Sequence, residues 1–223
     1  ERDGLPTRLI GFTGGEPFMN AAFPAMLEEA LARGFETLTL TNAMQPMMRW
    51  KQRIATLASR YGEAMRVRVS LDDHRSDVHD RERGTGSFAK TMQGLQWLIS
   101  AGVTVELAGR RLSDETEHQL RHGFARILRE HGIVIDAHDP RKLVLFPEMT
   151  DAGDPPEITP TCWEALNMSP SDIMCATGRM VVKRRGEEHP AVVAALLAEL
   201  REPVLSSTLL LPALPAPTAA SRP

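Results

Sequence analysis

Arg8-Leu-Ile-Gly-Phe-Thr-Gly-Gly-Glu-Pro-Phe-Met-Asn20 is the stretch on which the reading of the chain turns. A short apolar run ends in two glycines, a glutamate and a proline, and an amphipathic segment follows at once. That order describes a strand (Arg8–Thr13), a tight turn and a helix start, with Asn20 as the expected N-cap. Gly14 and Gly15 can take positive φ and let a ligand approach the backbone closely. Glu16 then stands at a strand end, where parallel α/β sheets and barrels collect their chemistry.

Downstream the same unit recurs. Phe23, Met26, Leu27, Ala30 and Leu31 sit at helical spacing and Gly34 closes the helix. Phe35–Thr41 alternates and is rich in β-branched residues, so it reads as a strand. Pro46 opens a helix carrying Met47, Trp50, Ile54, Leu57 and Ala58. Met65–Leu71 is a third strand ending at Asp72-Asp73, and His74–Gly86 reads as a polar loop. Ser87 starts a helix with Phe88, Met92, Leu95, Leu98 and Ile99. Val103–Ala108 is a fourth strand, Asp114 and Glu117 are spaced as a capping box, and Lys142–Phe146 is a fifth strand stopped by Pro147. Alternation of this kind predicts parallel strands joined by right-handed crossovers. An eightfold barrel takes about 250 residues, so the expectation is a smaller or incomplete barrel, with an open doubly wound sheet as the alternative.

After Thr150 the character changes. Residues 1–150 are read as the barrel part, 151–205 as a C-terminal extension and 206–223 as a proline-rich tail expected to be disordered. Within the extension, Thr161–Asp172 reads as a short helix, Arg179–Lys183 as a strand with a basic end and Pro190–Arg201 as a helix.

With 223 residues the chain can bury one good core. A net charge of −3 gives no general attraction to nucleic acid or an acidic membrane. No apolar run approaches the roughly 20 residues that span a bilayer. Two cysteines, Cys162 and Cys175, are too few for a disulfide framework, and a reducing cytoplasm is the expected compartment. The strand ends supply Gly14-Gly15-Glu16, Thr41-Asn42, Ser70 with Asp72, Glu106 with Gly109-Arg110, and Pro147-Glu148. This polar, small and hydrogen-bonding set suits a zwitterionic ligand bearing a nucleoside: a carboxylate at Glu16 for an amine, a hydroxyl and a guanidinium for a carboxylate. His74 and His79 with Asp72, Asp73, Asp77 and Asp80 match no zinc spacing and read as a solvated loop. Met44, Met47 and Met48 read as core filling.

Taken in order, these anchors resemble the radical S-adenosylmethionine (radical SAM) superfamily. Gly14-Gly15-Glu16-Pro17 is similar to the motif whose loop binds the methionyl amino group of the cofactor. Thr41-Asn42 falls where many members have Thr-Asn-Gly, with Ala43 replacing the glycine. Val69-Ser70-Leu71-Asp72 resembles the strand whose end contacts the cofactor carboxylate and ribose. His79-Asp80, Arg83-Gly84 and Gly86-Ser87-Phe88 resemble the loop and helix start that follow. The resemblance implies an incomplete parallel (β/α)6 barrel missing its first strand. It also implies S-adenosylmethionine and a [4Fe–4S] cluster as cofactors, with Gly14, Gly15, Glu16, Asn42, Ser70, Asp72 and Arg83 near the cofactor. The implied chemistry is reductive cleavage to a 5′-deoxyadenosyl radical that abstracts hydrogen from a small-molecule or peptide substrate, with flavodoxin or ferredoxin as electron donor. One departure stands out: the family's Cys-x3-Cys-x2-Cys would precede Gly14, and no cysteine does. The start at Glu1, not Met, favours a fragment. A non-catalytic remnant acting as a binding module and an unrelated metal-dependent lyase barrel are the alternatives. A barrel open at the Arg8 strand is also expected to self-associate.

Overall fold

In a computed structural model, the described residues are 7–148, 169, 178–183 and 186–194, and the chain divides into two compact units, Glu1–Asp151 and Ala152–Pro223. Five strands of the first unit form one parallel sheet in sequence order. They are β1 (Leu9–Phe12), β2 (Glu36–Thr41), β3 (Met65–Ser70), β4 (Thr104–Arg111) and β5 (Leu143–Pro147). Between them lie α1 (Phe23–Ala32), α2 (Gln45–Met48), α3 (Lys51–Tyr61), α4 (Ser76–Arg83), α5 (Ser87–Ser100) and α6 (Glu117–Glu130).

Sequential strand order with right-handed crossovers puts every helix on one face, which makes a curled half-barrel and not a doubly wound sheet. Burial agrees. Register sets Thr39 beside Val67 and Val67 beside Val105, and residues side by side in a sheet share a face. Val67, Val69, Leu107 and Leu143 are fully buried against the helices, together with Leu95, Leu98 and Phe124. Each such side chain contributes roughly 1.5–3 kcal/mol by leaving water. The alternate positions, Leu38, Arg66, Arg68, Ser70, Thr104, Glu106, Ala108 and Arg110, line the inner face. In a parallel fold of this kind the loops after the strands converge at one end, and the site is built there.

Several local expectations are corrected. His74–Gly86 is not a solvated loop: it contains the helix α4, and Asp72, Asp73, His74 and His79 are all buried. Arg75, Asp80, Glu82 and Arg83 find partners in the fold, and an apolar stripe is not what holds the segment, so hydrophobic periodicity could not detect it. The helix expected from Pro46 is two, α2 and α3, with half-buried Trp50 packed against the core at the joint. Thr116 and Gln119, not Asp114 and Glu117, form the capping box of α6. Asn20 accepts from the Ala22 amide, but α1 begins at Phe23 without a side-chain cap. In the second unit β6 (Arg179–Val182) pairs antiparallel with β7 (Ala191–Ala194), so the start of the expected Pro190–Arg201 helix is a strand. Pairing with a neighbour overrides local helix preference there. Thr161–Asp172, apart from Ser169, and the proline-rich end lie outside the described residues.

Candidate functional site

Two carboxylates organise the end of the sheet where the β1, β2 and β3 loops meet. Glu16 lies in the turn after β1, and its carboxylate is a clasp. Oε2 accepts the Asn42 amide at 2.8 Å, Oε1 accepts the Phe18 amide at 3.2 Å, and the Thr41 hydroxyl lies 2.8 and 2.9 Å from the two oxygens. The clasp ties the β1 turn to the end of β2. Above it Gly14 and Gly15 have φ of 95° and 50°, and nothing lies within 4 Å of where a Cβ would stand on either. The glycine turn is therefore an open strip of backbone on a fixed support.

Beyond the clasp, Ala43 sits at φ 57°, a left-handed conformation that costs a non-glycine residue roughly 1–2 kcal/mol. The turn is held from several sides. Asn42 Oδ1 accepts the Met44 amide at 2.9 Å, and the Asn42 carbonyl accepts from the Thr91 hydroxyl at 3.0 Å. Gly94 of α5 passes so close that a Cβ on it would lie 1.8 Å from the Ala43 carbonyl oxygen.

The second carboxylate, Asp72, follows β3. Arg83 grips it as a fork, Nε to Oδ2 at 2.7 Å and Nη2 to Oδ1 at 2.9 Å. The Asp72 amide donates to His79 Nδ1 at 3.1 Å, and its carbonyl accepts from the Arg110 amide at 2.8 Å. Every polar group of Asp72 is engaged. With Nδ1 accepting, neutral His79 carries its proton on Nε2, which is buried without a hydrogen-bond partner among the described residues. Such a group costs about 1–3 kcal/mol. Burial holds the imidazole below its ordinary pKa, and Arg83 adds to the depression against the opposing pull of Asp72. Asp80, on the same helix, accepts the Gly86 and Phe88 amides at 2.6 and 2.8 Å, and these two amides hold its carboxyl below the usual range.

Next to it a buried network joins the β3 and β4 loops. Burial alone would raise the Asp73 carboxyl, but the Arg75 side chain and amide hold it below the usual value. Arg75 also meets Glu115 at 2.9 Å, and Glu115 lies 3.4 Å from His74 Nε2. The His74 ring fills the notch left by Gly123, whose absent Cβ would lie 2.3 Å from it. One layer lower on the inner face, Glu106 accepts from Arg68 at 2.7 and 3.0 Å and from Arg66 at 3.4 Å.

The structure thus gathers Gly14, Gly15, Glu16 and Asn42 around the β1 and β2 ends. Ser70 lies on the inner face of the neighbouring strand, and Asp72 with Arg83 follows it. The two carboxylates expected to meet a ligand are already spent on the protein. What stays open is the glycine backbone, the Ser70 hydroxyl and Arg83 Nη1, neither of which has a hydrogen-bond partner among the described residues. Sequence reasoning passed over Thr91, Gly94 and Arg68; it read His79 as part of a solvated loop and placed Glu106 at a strand end without its partner. The helical i, i+4 spacing of His79 and Arg83 was a signal that could have tied His79 to Arg83.

The sequence model of the Radical SAM superfamily matches residues 2–119. The chain belongs to that superfamily. No curated protein matches it in sequence. Among solved structures, it is similar to Streptococcus suis SuiB with a TM-score of 0.50 and 12% identity, over 65% of this chain and 30% of that one. At that identity the likeness speaks for the fold alone, and the chain spans less than a third of SuiB. Weaker likenesses are to SuiB bound to S-adenosylmethionine (TM-score 0.49, 12% identity, over 65% and 31% of the two chains) and to anSMEcpe with bound AdoMet (TM-score 0.47, 15% identity, over 66% and 38%). Among the described residues no helix is long and apolar enough to cross a membrane.

The family implies S-adenosylmethionine and a [4Fe–4S] cluster. The first fits the residues present: Cβ-free backbone with open space before it, a hydroxyl and a guanidinium edge suit an amine and a carboxylate. The second does not. Such clusters take thiolate ligands, no cysteine lies among the described residues, and none of their His, Cys, Asp and Glu side chains form a metal-holding group of three or more.

Proposed function

We propose that residues 8–148 form the S-adenosylmethionine-binding part of a radical SAM (β/α)6 barrel, with the cofactor against the loops after β1, β2 and β3. The observation that carries this reading is the Glu16 clasp, which holds two positive-φ glycines open on a rigid support. Backbone approach to a ligand needs both the missing Cβ and a fixed turn. The cofactor's amino group meets carbonyls of the Gly14–Gly15 turn, and its carboxylate meets the Arg83 guanidinium edge and the Ser70 hydroxyl. Asn42 closes the side of the bowl. If bound S-adenosylmethionine took one electron from a donor, it would break to methionine and a 5′-deoxyadenosyl radical for hydrogen abstraction. The residues of this chain bind and orient it and exclude water. A small-molecule or peptide substrate, flavodoxin or ferredoxin as electron donor, and a cytoplasmic setting complete the proposal.

Titration of the purified chain with S-adenosylmethionine by calorimetry tests the site without any cluster. Saturable binding with a dissociation constant of about 1 mM or tighter, equivalent to about 4 kcal/mol, is expected, and Arg83→Ala should weaken it. A folded chain that shows no saturable binding overturns the proposal.

A further inference from the structure

We propose that His79 is a positioning residue that, through the Asp72 backbone, sets the Arg83 guanidinium for the cofactor's carboxylate. This rests on the reading of Arg83 as a cofactor contact.

The geometry is a three-point hold on one residue. Asp72 is fixed at its amide by His79, at its carbonyl by the Arg110 amide and at its carboxylate by Arg83. His79 and Arg83 lie four residues apart on α4, one turn of one helix face. The same helix therefore reaches back twice to the end of β3, once to the main chain and once to the side chain. A fork on a carboxylate can rotate about the Asp72 side chain unless the main chain beneath it is fixed. Arg110 holds one side of that main chain from β4; His79 holds the other from α4.

The imidazole suits this task only as an acceptor at Nδ1. It is fully buried, its ring packs edge-on to Phe88 with centroids 5.7 Å apart, and Nε2 finds no partner among the described residues. A buried polar atom left unpartnered is uncommon and calls for a reason. Here the reason is that the ring is retained for its other nitrogen. A leucine would fill the same space without the orphaned donor, and would lose the Asp72 contact. The charged groups around the ring are Asp72, Asp73, Asp80 and Arg83. Its burial keeps it neutral, which is the state in which Nδ1 accepts.

The test compares His79→Asn, whose side-chain oxygen can stand near Nδ1, with His79→Gln, whose oxygen reaches toward the Nε2 position, and with His79→Leu. The first readout is the NMR signal of the Arg83 Nε proton in the ligand-free chain. It should be resolved and hydrogen-bonded in the parent and in His79→Asn, and exchange-broadened or shifted in His79→Gln and His79→Leu. The second is S-adenosylmethionine affinity, expected to fall about fivefold or more in the Gln and Leu variants and to recover in the Asn variant. If His79→Leu does not fold, the Asn and Gln pair decides. An Arg83 signal unchanged in the Gln variant overturns the inference whatever the affinity. A parent chain whose bonded Arg83 signal is lost in the Gln variant, but which shows no cofactor binding, overturns the functional proposal and leaves the positioning of Arg83 by His79 supported.

Discussion

The two faces of the sheet use opposite kinds of interaction. On the helix side, Val67, Val69, Leu107 and Leu143 meet Leu95, Leu98 and Phe124 in a dry layer. That layer tolerates exchange of one apolar residue for another of similar size. On the inner face and at the strand ends, Glu16, Asp72 and Glu106 each take two or more donors from elements distant in sequence. There a lost partner leaves a carboxylate oxygen short of a donor. The apolar face sets how stable the half-barrel is; the polar face sets where its backbone and the open edge of Arg83 stand.

This contrast can be broken by substitution. Phe124→Ala should cost the most, about 3–5 kcal/mol in urea unfolding, because Phe124 is fully buried and packs on Gly109 and His74. A loss below about 1 kcal/mol would mean that the apolar layer is not the source of stability. Gly94→Ala should come next, at about 1–3 kcal/mol by overpacking. Its clash is with the backbone of the Ala43 turn, so cofactor affinity should fall with it. Retained affinity would separate α5 from the site.

Glu106→Ala should cost about 2 kcal/mol, less than a fully buried pair, since Arg66 and Arg68 keep some exposure. Glu106→Gln should recover part of that. If Glu106→Ala were neutral, the inner-face charges would be ordinary surface pairs.

The pH dependence has a definite sign. His79 is held below its ordinary pKa of 6.5, so near and below that pH the unfolded chain binds more protons than the folded one. Its contribution to stability is complete above pH 6.5 and declines as pH falls below it. His79→Asn should flatten that limb of a stability–pH curve, and an unchanged limb would assign it to other groups. The smallest effect belongs to Ala43→Gly. Relief of the left-handed conformation is offset by the lost buried methyl and the freer unfolded chain, giving a net change within about 0.5 kcal/mol. A large stabilisation would mean that the Ala43 turn stores more strain than its φ implies.

Much of this was legible in the residues. Five strand segments alternating with helices predicted a parallel sheet with its loops at one end. Gly14 and Gly15, followed by Glu16, marked the loop that matters. Ala43 in a position that favours glycine was visible as a departure and is seen as a left-handed alanine. The β3–β4 connection was read less well. Its helix α4 has no apolar stripe, and its two histidines and four aspartates look like a solvated loop until their partners are known. The role of Glu106 was equally hidden, because a one-residue change of register would have turned it to the other face.

The sequence by itself determined the order of elements, the apolar face and the two glycines that keep backbone open, since these follow from periodicity and from the absence of a Cβ. Only the tertiary structure decided that Glu16 and Asp72 are braces and that Arg83 keeps an edge free. Hydrogen-bond saturation is not local: the donors of Glu16 come from Phe18, Thr41 and Asn42, and those around Asp72 come from α4 and β4. No spacing rule can say which of these will meet until the strands are in register.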